Sequence, residues 1–195
     1  MAALEENPIS DEVLARAIRG DERAIAVIWT AWNPRLLRFF RGRNAAEPDD
    51  LAQQVWLEVA RKLPAFKGDR DAFRRWIFTL AHRRRIDAGR AQLRRPPTAQ
   101  QVDSAVDDAT GQVDELDWAL SLLRQLPDQQ ATAVSLRILA GMSVPDVAAV
   151  MCKRPGAVRA LTHRGLRQLQ KLVHQQENSD ATVTLTPVLS LTSDT

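Results

Sequence analysis

Between Gly141 and Val173 the chain reads GMSVPDVAAVMCKRPGAVRALTHRGLRQLQKLV, and this stretch leaves the backbone few choices. Ser143 can cap a helix, with Pro145 and Asp146 suited to the first turn after it. A second helix start follows at Pro155. The first helix therefore has room for only about two turns before Cys152, Lys153 and Arg154 connect it to the next. Val147, Ala148 and Met151 give the first helix an apolar face. Ala157, Val158, Leu161, Leu166 and Leu169 supply a buried stripe for the second, which runs to about Val173. Two short helices joined by a tight turn, each with one apolar side, make a helix-turn-helix over residues 143–172.

The other side of the second helix carries Arg154, Arg159, His163, Arg164 and Arg167, with Lys153 and Pro155 at its start. A helix that enters the major groove needs small or outward-pointing residues at its N-terminal end, and cations that reach guanine edges and phosphates. This helix has both. The plain alternative is a helical hairpin with a solvated basic face, because hairpins of this kind are common.

The rest of the chain is helical too. Ser10 caps a first helix with Val13, Leu14, Ala17 and Ile18 along one stripe, and Gly20 ends it. Asp21 can cap a second, with Ala24, Ile25, Ile28, Trp29 and Trp32 on one face, which Pro34 breaks or restarts. A third begins at Pro48, with Asp49 and Asp50 favoured by the helix dipole and Leu51, Val55, Val59 and Leu63 as its stripe. Gln53, Gln54 and Glu58 face outward from it, Trp56 lies beside the stripe, and Pro64 ends it. After the loop AFKGDRD, a fourth helix is apolar through Phe73, Ile77, Leu80, Ala81 and Ile86. It is basic on its other side through Arg74, Arg75, His82, Arg83, Arg84, Arg90, Arg94 and Arg95.

The net charge of +3 says little, but its distribution is informative. No Lys or Arg falls between Pro96 and Leu123, where Asp103, Asp107, Asp108, Asp114, Glu115 and Asp117 lie. Two basic blocks thus flank an acidic connector, and basic blocks on helices suit a polyanion such as DNA. The prolines at 96 and 97 stop the fourth helix, and aperiodic small polar residues follow. The expected fold is all-α: a helical domain over 1–95, a flexible acidic linker over 96–113, a helix-turn-helix domain over 114–173 and a disordered tail over 174–195. Within that tail TVTLTPVLSL alternates, so it could instead pair with a partner as a strand.

Several function classes drop out. No run is long and apolar enough to span a membrane, and MAALEENPIS has no signal-peptide core, so a cytoplasmic location is expected. The single cysteine, Cys152, forms no internal disulfide and leaves too few soft ligands for a usual zinc site. Of the histidines, His82 and His163 sit among arginines, and no phosphate loop, nucleophile elbow or metal motif accompanies any of the three. No enzyme, cofactor or metal is expected.

Two motifs carry a family resemblance. EPDDLAQQVWLEVARKLPAF followed by AFRRWIFTLAHRRRIDAGR resembles the second conserved region of the extracytoplasmic-function (ECF) sigma factors, the minimal class of the sigma-70 family of RNA polymerase subunits. LPDQQATAVSLRILAGMSVPDVAAVMCKRPGAVRALTHRGLRQL resembles their fourth region. The resemblance implies that Asp49, Asp50, Leu51, Gln53, Gln54 and Trp56 dock on the clamp helices of the polymerase largest subunit, with the flap as a second contact. It implies that the loop of Lys67, Asp69 and Arg70 captures a flipped base of the −10 promoter element. The face of Arg74, Arg75, His82, Arg83, Arg84 and Arg90 would hold that element and help part its strands. The helix from Pro155 would read the −35 element, and the acidic linker would thread toward the active-site and RNA-exit channels. Core RNA polymerase and promoter DNA are the implied partners, with an anti-sigma protein as a further candidate. Gln54, Arg83 and Cys152 stand where the family often has glutamate, asparagine and glycine, which leaves the promoter sequence open.

Two rivals need fewer parts of the chain. A stand-alone regulator that binds an operator as a dimer would use the helix-turn-helix, but leaves the Asp49–Leu63 helix and the basic fourth helix without a purpose, and no heptad seam offers a dimer interface. The second is a polymerase adaptor that never touches DNA, and loss of promoter recognition on changing Arg159 and Arg164 would argue against it.

Overall fold

The structure, a computed structural model, describes residues 8–43, 45, 47–94 and 115–189, with only the backbone given for 115 and 177–189. The expected acidic linker lies outside the described residues. Those residues form α1 (Asp11–Ile18), α2 (Glu22–Arg41), α3 (Pro48–Lys62), a 3-10 turn (Leu63–Ala65), α4 (Arg70–Arg94), α5 (Glu115–Arg124), α6 (Asp128–Ile138), α7 (Val144–Met151) and α8 (Pro155–Leu189). Among them there is no strand, and no helix is long and apolar enough to cross a membrane.

Local chemistry sets most of the boundaries. The Ser10 hydroxyl accepts from the Val13 amide at 3.2 Å, and the Asp21 carboxylate accepts from Arg23 and Ala24 at 3.0 and 3.1 Å. Each satisfies amides that a helix start leaves without an internal partner. Ser143 caps α7 in the same way, through the Asp146 amide.

Pro34 does not break α2, which is continuous through it. Pro34 is exposed, and so is Thr30, whose carbonyl loses its helical partner. The burial of Trp32, Leu36, Phe39 and Phe40 around it outweighs the roughly 3 kcal/mol that an interior proline costs. The expected face of α2 is also narrower than the full set. Ala24, Ile28 and Trp32 are buried, whereas Ile25 is 40% and Trp29 49% exposed. In α8, Val158 and Leu161 are buried and Leu169 partly so, but Ala157 is exposed and Leu166 is 39% exposed. Gly165 takes the place expected of Leu166. A Cβ there would lie 2.7 Å from Val134 Cγ2, so glycine is what lets α8 close onto α6.

The tail expected to be disordered or strand-like from His174 is helical as far as Leu189. A helix already nucleated at Pro155 extends at one hydrogen bond per residue, and Gln175, Gln176 and Glu177 are good helix formers.

In the first half, α4 inserts Phe78 edge-on against Trp32 and Phe39, with ring centroids 5.9 and 5.8 Å apart. In the second half, Leu120, Leu123, Leu126, Ala131 and Val134 make a smaller cluster between α5, α6 and α8. The halves are not separate bodies. Leu136, Met142, Val147 and Val150 belong to the same buried cluster as the first-half core, and α7 packs on α4. At the end of α2, Gly42 admits α5, because a Cβ there would meet Leu120 Cδ2 at 3.1 Å and Leu123 Cδ1 at 3.4 Å.

Candidate nucleic-acid interface

The turn between α7 and α8 is closed by backbone geometry. Cys152 adopts the left-handed conformation at φ 52, ψ 46, and the Lys153 amide donates to Ala148 O at 2.9 Å. This ends α7 abruptly and starts α8 three residues later. Arg159, His163 and Arg167 then recur every four residues along α8, on the side away from buried Val158, Leu161 and Gly165. All three are exposed, as are Arg154 and Pro155, while Lys153 is half-buried. Arg164 is exposed but turned off this row, where it lines a groove with Gln130, Arg167, Lys171 and His174. Among the described residues no acid pairs with Arg154, Arg159, Arg164 or Arg167, so this face presents uncompensated positive charge.

The basic face of α4 is arranged differently. Arg83 and Arg90 are exposed, Arg90 lying 3.9 Å from Asp87. Arg74 pairs with Asp71 at 2.9 Å, Arg84 with Glu58 at 2.8 Å, and Arg75 with Asp146 of α7 at 2.7 Å. Lys62 and Arg84 together hold the Glu58 carboxyl below the usual range against the opposing effect of burial. At Asp146 burial pushes the carboxyl up, but the Ser143 hydroxyl and Arg75 more than offset it and leave it low. His82 turns inward, and burial, with Arg85 and Arg43 nearby, lowers its pKa to about 4. The loop before α4 is fixed from both sides. Asp69 accepts from the Ala72 amide and Asp11 from the Arg70 amide, each at 2.7 Å, while Phe66 stacks on Trp76 at 5.0 Å. Lys67 and Asp69 are exposed and Arg70 is half-buried.

On α3, Asp49, Asp50, Gln53 and Gln54 are exposed. Leu51 is buried and anchors the helix from beneath, and Trp56 is half-buried, donating from Nε1 to Asn33 Oδ1 at 2.9 Å. Leu57 joins the exposed face at 62% exposure. Leu57 is not among the residues expected there, and its place off the Leu51, Val55 and Val59 stripe is the sequence signal for its exposure. Arg43, which is buried, and Arg85, which is half-buried, lie against Asp128 and have no local signal in the sequence. Among the described residues no three metal-ligating side chains converge.

Two family models match this layout. One, described as Sigma-70 region 2, covers residues 29–95, and the other, Sigma-70 region 4, covers 116–169. The chain is 30% identical over 179 residues to the RNA polymerase sigma-H factor of Pseudomonas aeruginosa, covering 82% of this chain and 91% of that protein. It is 28% identical over 188 residues to the ECF RNA polymerase sigma factor ShbA of Streptomyces griseus, covering 88% of this chain and 98% of the relative. Among solved structures, CnrH in complex with the cytosolic domain of CnrY aligns over 87% of this chain and 99% of that one, with a TM-score of 0.60 at 23% identity. RpoE of Bartonella quintana in complex with the anti-sigma factor NepR aligns over 78% and 98%, also at 0.60, with 19% identity. Both share the all-helical fold.

Proposed function

The chain belongs to the sigma-70 family, as an RNA polymerase sigma factor of the ECF class, and from that premise we propose how its halves divide the work of directing initiation to promoters. Residues 1–95 form the unit that docks on core polymerase and holds the −10 element. Residues 114–173 form the unit that reads the −35 element, and 96–113 join them. Asp49, Asp50, Gln53, Gln54 and Trp56 face the polymerase clamp helices, with Leu51 supporting them and Leu57 adding an apolar contact. Lys67, Asp69 and Arg70 hold an unstacked base, and Arg74, Arg75, His82, Arg83, Arg84 and Arg90 hold the strand around it. Lys153, Arg154, Pro155, Arg159, His163, Arg164 and Arg167 meet the −35 duplex.

The observation that carries this reading is the exposed row of Arg159, His163 and Arg167 at the start of α8, without an acidic partner among the described residues. A cationic row behind a short bracing helix has the geometry of a helix that enters the major groove. An operator-binding regulator is not favoured, because it has no use for the region 2 half. The chain acts as a binding subunit rather than a catalyst, in the cytoplasm where core polymerase works. An anti-sigma factor accompanies the similar RpoE of Bartonella quintana, and a protein of that class is a candidate partner here.

The test is transcription in vitro with purified core polymerase and a promoter library. Promoter-specific transcripts are expected only when this chain is added, and their absence from every promoter would sink the assignment. Arg159→Ala should cost about 1–3 kcal/mol at one upstream base position if the side chain is bidentate to a base. A uniform loss across all sequences would make it a phosphate contact instead.

A further inference from the structure

One flank of α2 changes character half-way along. Ile25, Trp29, Asn33, Leu36 and Phe40 recur on it at helical spacing. Leu36 and Phe40 are fully buried, whereas Ile25 is 40% and Trp29 49% exposed. The flank leads to α3. Arg41 lies 3.7 Å from Asp49, and Asn33 Oδ1 accepts from Trp56 Nε1 at 2.9 Å, so the two helices run antiparallel. Continuing that pairing by one turn sets Trp29 beside Ala60, which is exposed and too small to cover an indole.

The uncovered side chains of α2 therefore meet those of α3. Trp56 is half-buried at the seam, and Leu57 stands exposed beyond it, between exposed Gln53 and Arg61 on the same stripe. Apolar and aromatic groups edged by polar ones have the composition of an interface centre and its rim. Tryptophan is among the side chains that most often dominate binding. Ile25, Trp29 and Leu57 together offer on the order of 300 Å² of apolar surface. Two such patches pressed together would bury about half of the roughly 1,200 Å² that a stable pair needs. The patch is therefore too small to hold a second copy, but large enough to extend an interface that α3 already makes.

We propose that the polymerase-docking face continues from α3 across Trp56 onto α2, with Trp29 as its apolar anchor and Ile25 at its edge. The inference rests on the assignment of α3 to core polymerase. The exposed groups at the start of α3, Asp49, Asp50, Gln53 and Gln54, are acidic or polar and set approach and register. Trp29, Ile25 and Leu57 lose water on docking, which adds affinity that charge alone does not give.

In the test, unlabelled variants of the full chain compete for purified core polymerase with the natural chain, labelled on exposed Cys152, and anisotropy reads the displacement. Trp29→Gln should weaken binding about tenfold and Ile25→Gln about threefold. Trp29→Phe keeps a ring and should recover most of the affinity. Val27→Gln is the control. Val27 is 48% exposed but lies on the opposite flank of α2, and its replacement should leave binding unchanged. The loss from Trp29→Gln should be the same at low and high salt, whereas the loss from Asp50→Ala should shrink as salt rises. Melting temperatures should match that of the natural chain. Should Trp29→Gln fail to fold, Ile25→Gln decides in its place.

Full-strength binding by Trp29→Gln and Ile25→Gln, beside a loss from Asp50→Ala and Gln53→Ala, overturns the extension and leaves α3 as the docking helix. No loss from Asp50→Ala and Gln53→Ala sinks the α3 assignment itself, and the extension with it. An equal loss from Val27→Gln, or a Trp29→Gln loss that fades with salt, overturns the apolar anchor. Dimers of the free chain that Trp29→Gln abolishes would give the patch to a second copy and overturn the proposal.

Discussion

Helices α4 and α8 are both rich in arginine, yet they hold their charge in opposite ways. On α8, Arg159, Arg164 and Arg167 stand in solvent with no acidic partner among the described residues. On α4, Arg74, Arg75, Arg84 and Arg85 are each held by a carboxylate, two of them from the far half of the molecule. A count of basic residues does not distinguish the two helices. A free cation is ready for duplex DNA on encounter, whereas a paired one must first exchange a carboxylate for a phosphate. One face meets solvent as free charge, and the other carries much of its charge already paired.

The largest way to break this contrast is to loosen the anchor of α4. Phe78→Ala empties the site between Trp32 and Phe39 and should cost about 3–5 kcal/mol in denaturant unfolding. A loss below about 1 kcal/mol would mean that α4 is held mainly by its ion pairs. The matching change on α8 is Gly165→Ala, whose methyl group meets Val134. It should cost about 1–3 kcal/mol by wedging α8 off α6. No change in stability would show that α6 yields to the added methyl.

Acid should act on the α4 side. Burial holds the His82 pKa at about 4, against 6.5 for a free histidine. The unfolded chain therefore takes up a proton near pH 6.5 that the folded chain refuses until about pH 4. The stability contributed by neutral His82 is complete above pH 6.5 and is lost as pH falls toward 4. With allowance for partial exposure this amounts to about 2 kcal/mol. Melting temperatures of the natural chain and of His82→Gln should converge as the pH is lowered through that window. Parallel curves would remove His82 from the account.

The smallest effect falls in the turn before α8. Cys152 holds a positive φ of 52 without being glycine, which costs about 1 kcal/mol. Cys152→Gly should raise stability by about 0.5–1 kcal/mol and leave −35 recognition intact. A fall in stability would mean that the side chain repays its strain through a contact.

Much of this was legible in the residues. The caps at Ser10, Asp21 and Ser143, the starts at Pro48 and Pro155, and the stripe of Leu51, Val55 and Val59 depend on neighbours within a few positions. So does the outward row on α8, since period and polarity are local properties. The features that depart from the local pattern are nonlocal in origin. Ile25 and Trp29 fit the helical period of a core face, but no other helix covers them. Leu166 fits the α8 stripe, but Gly165 beside it marks where α6 approaches. Pro34 breaks helices in isolation and is tolerated here because its face is wet and its neighbours are buried.

An all-helical chain, a helix-turn-helix late in its length and two basic helices follow from the residues alone, because capping, spacing and charge act over a few positions. Which arginines are paired across the molecule depends on how the helices pack. Arg75 meets Asp146 across 71 positions and Arg85 meets Asp128 across 43, and no local rule reaches that far. Those pairs form because burying Leu136, Met142, Val147 and Val150 with the first-half core brings the halves together. The charges then settle on whatever carboxylates that burial has placed beside them.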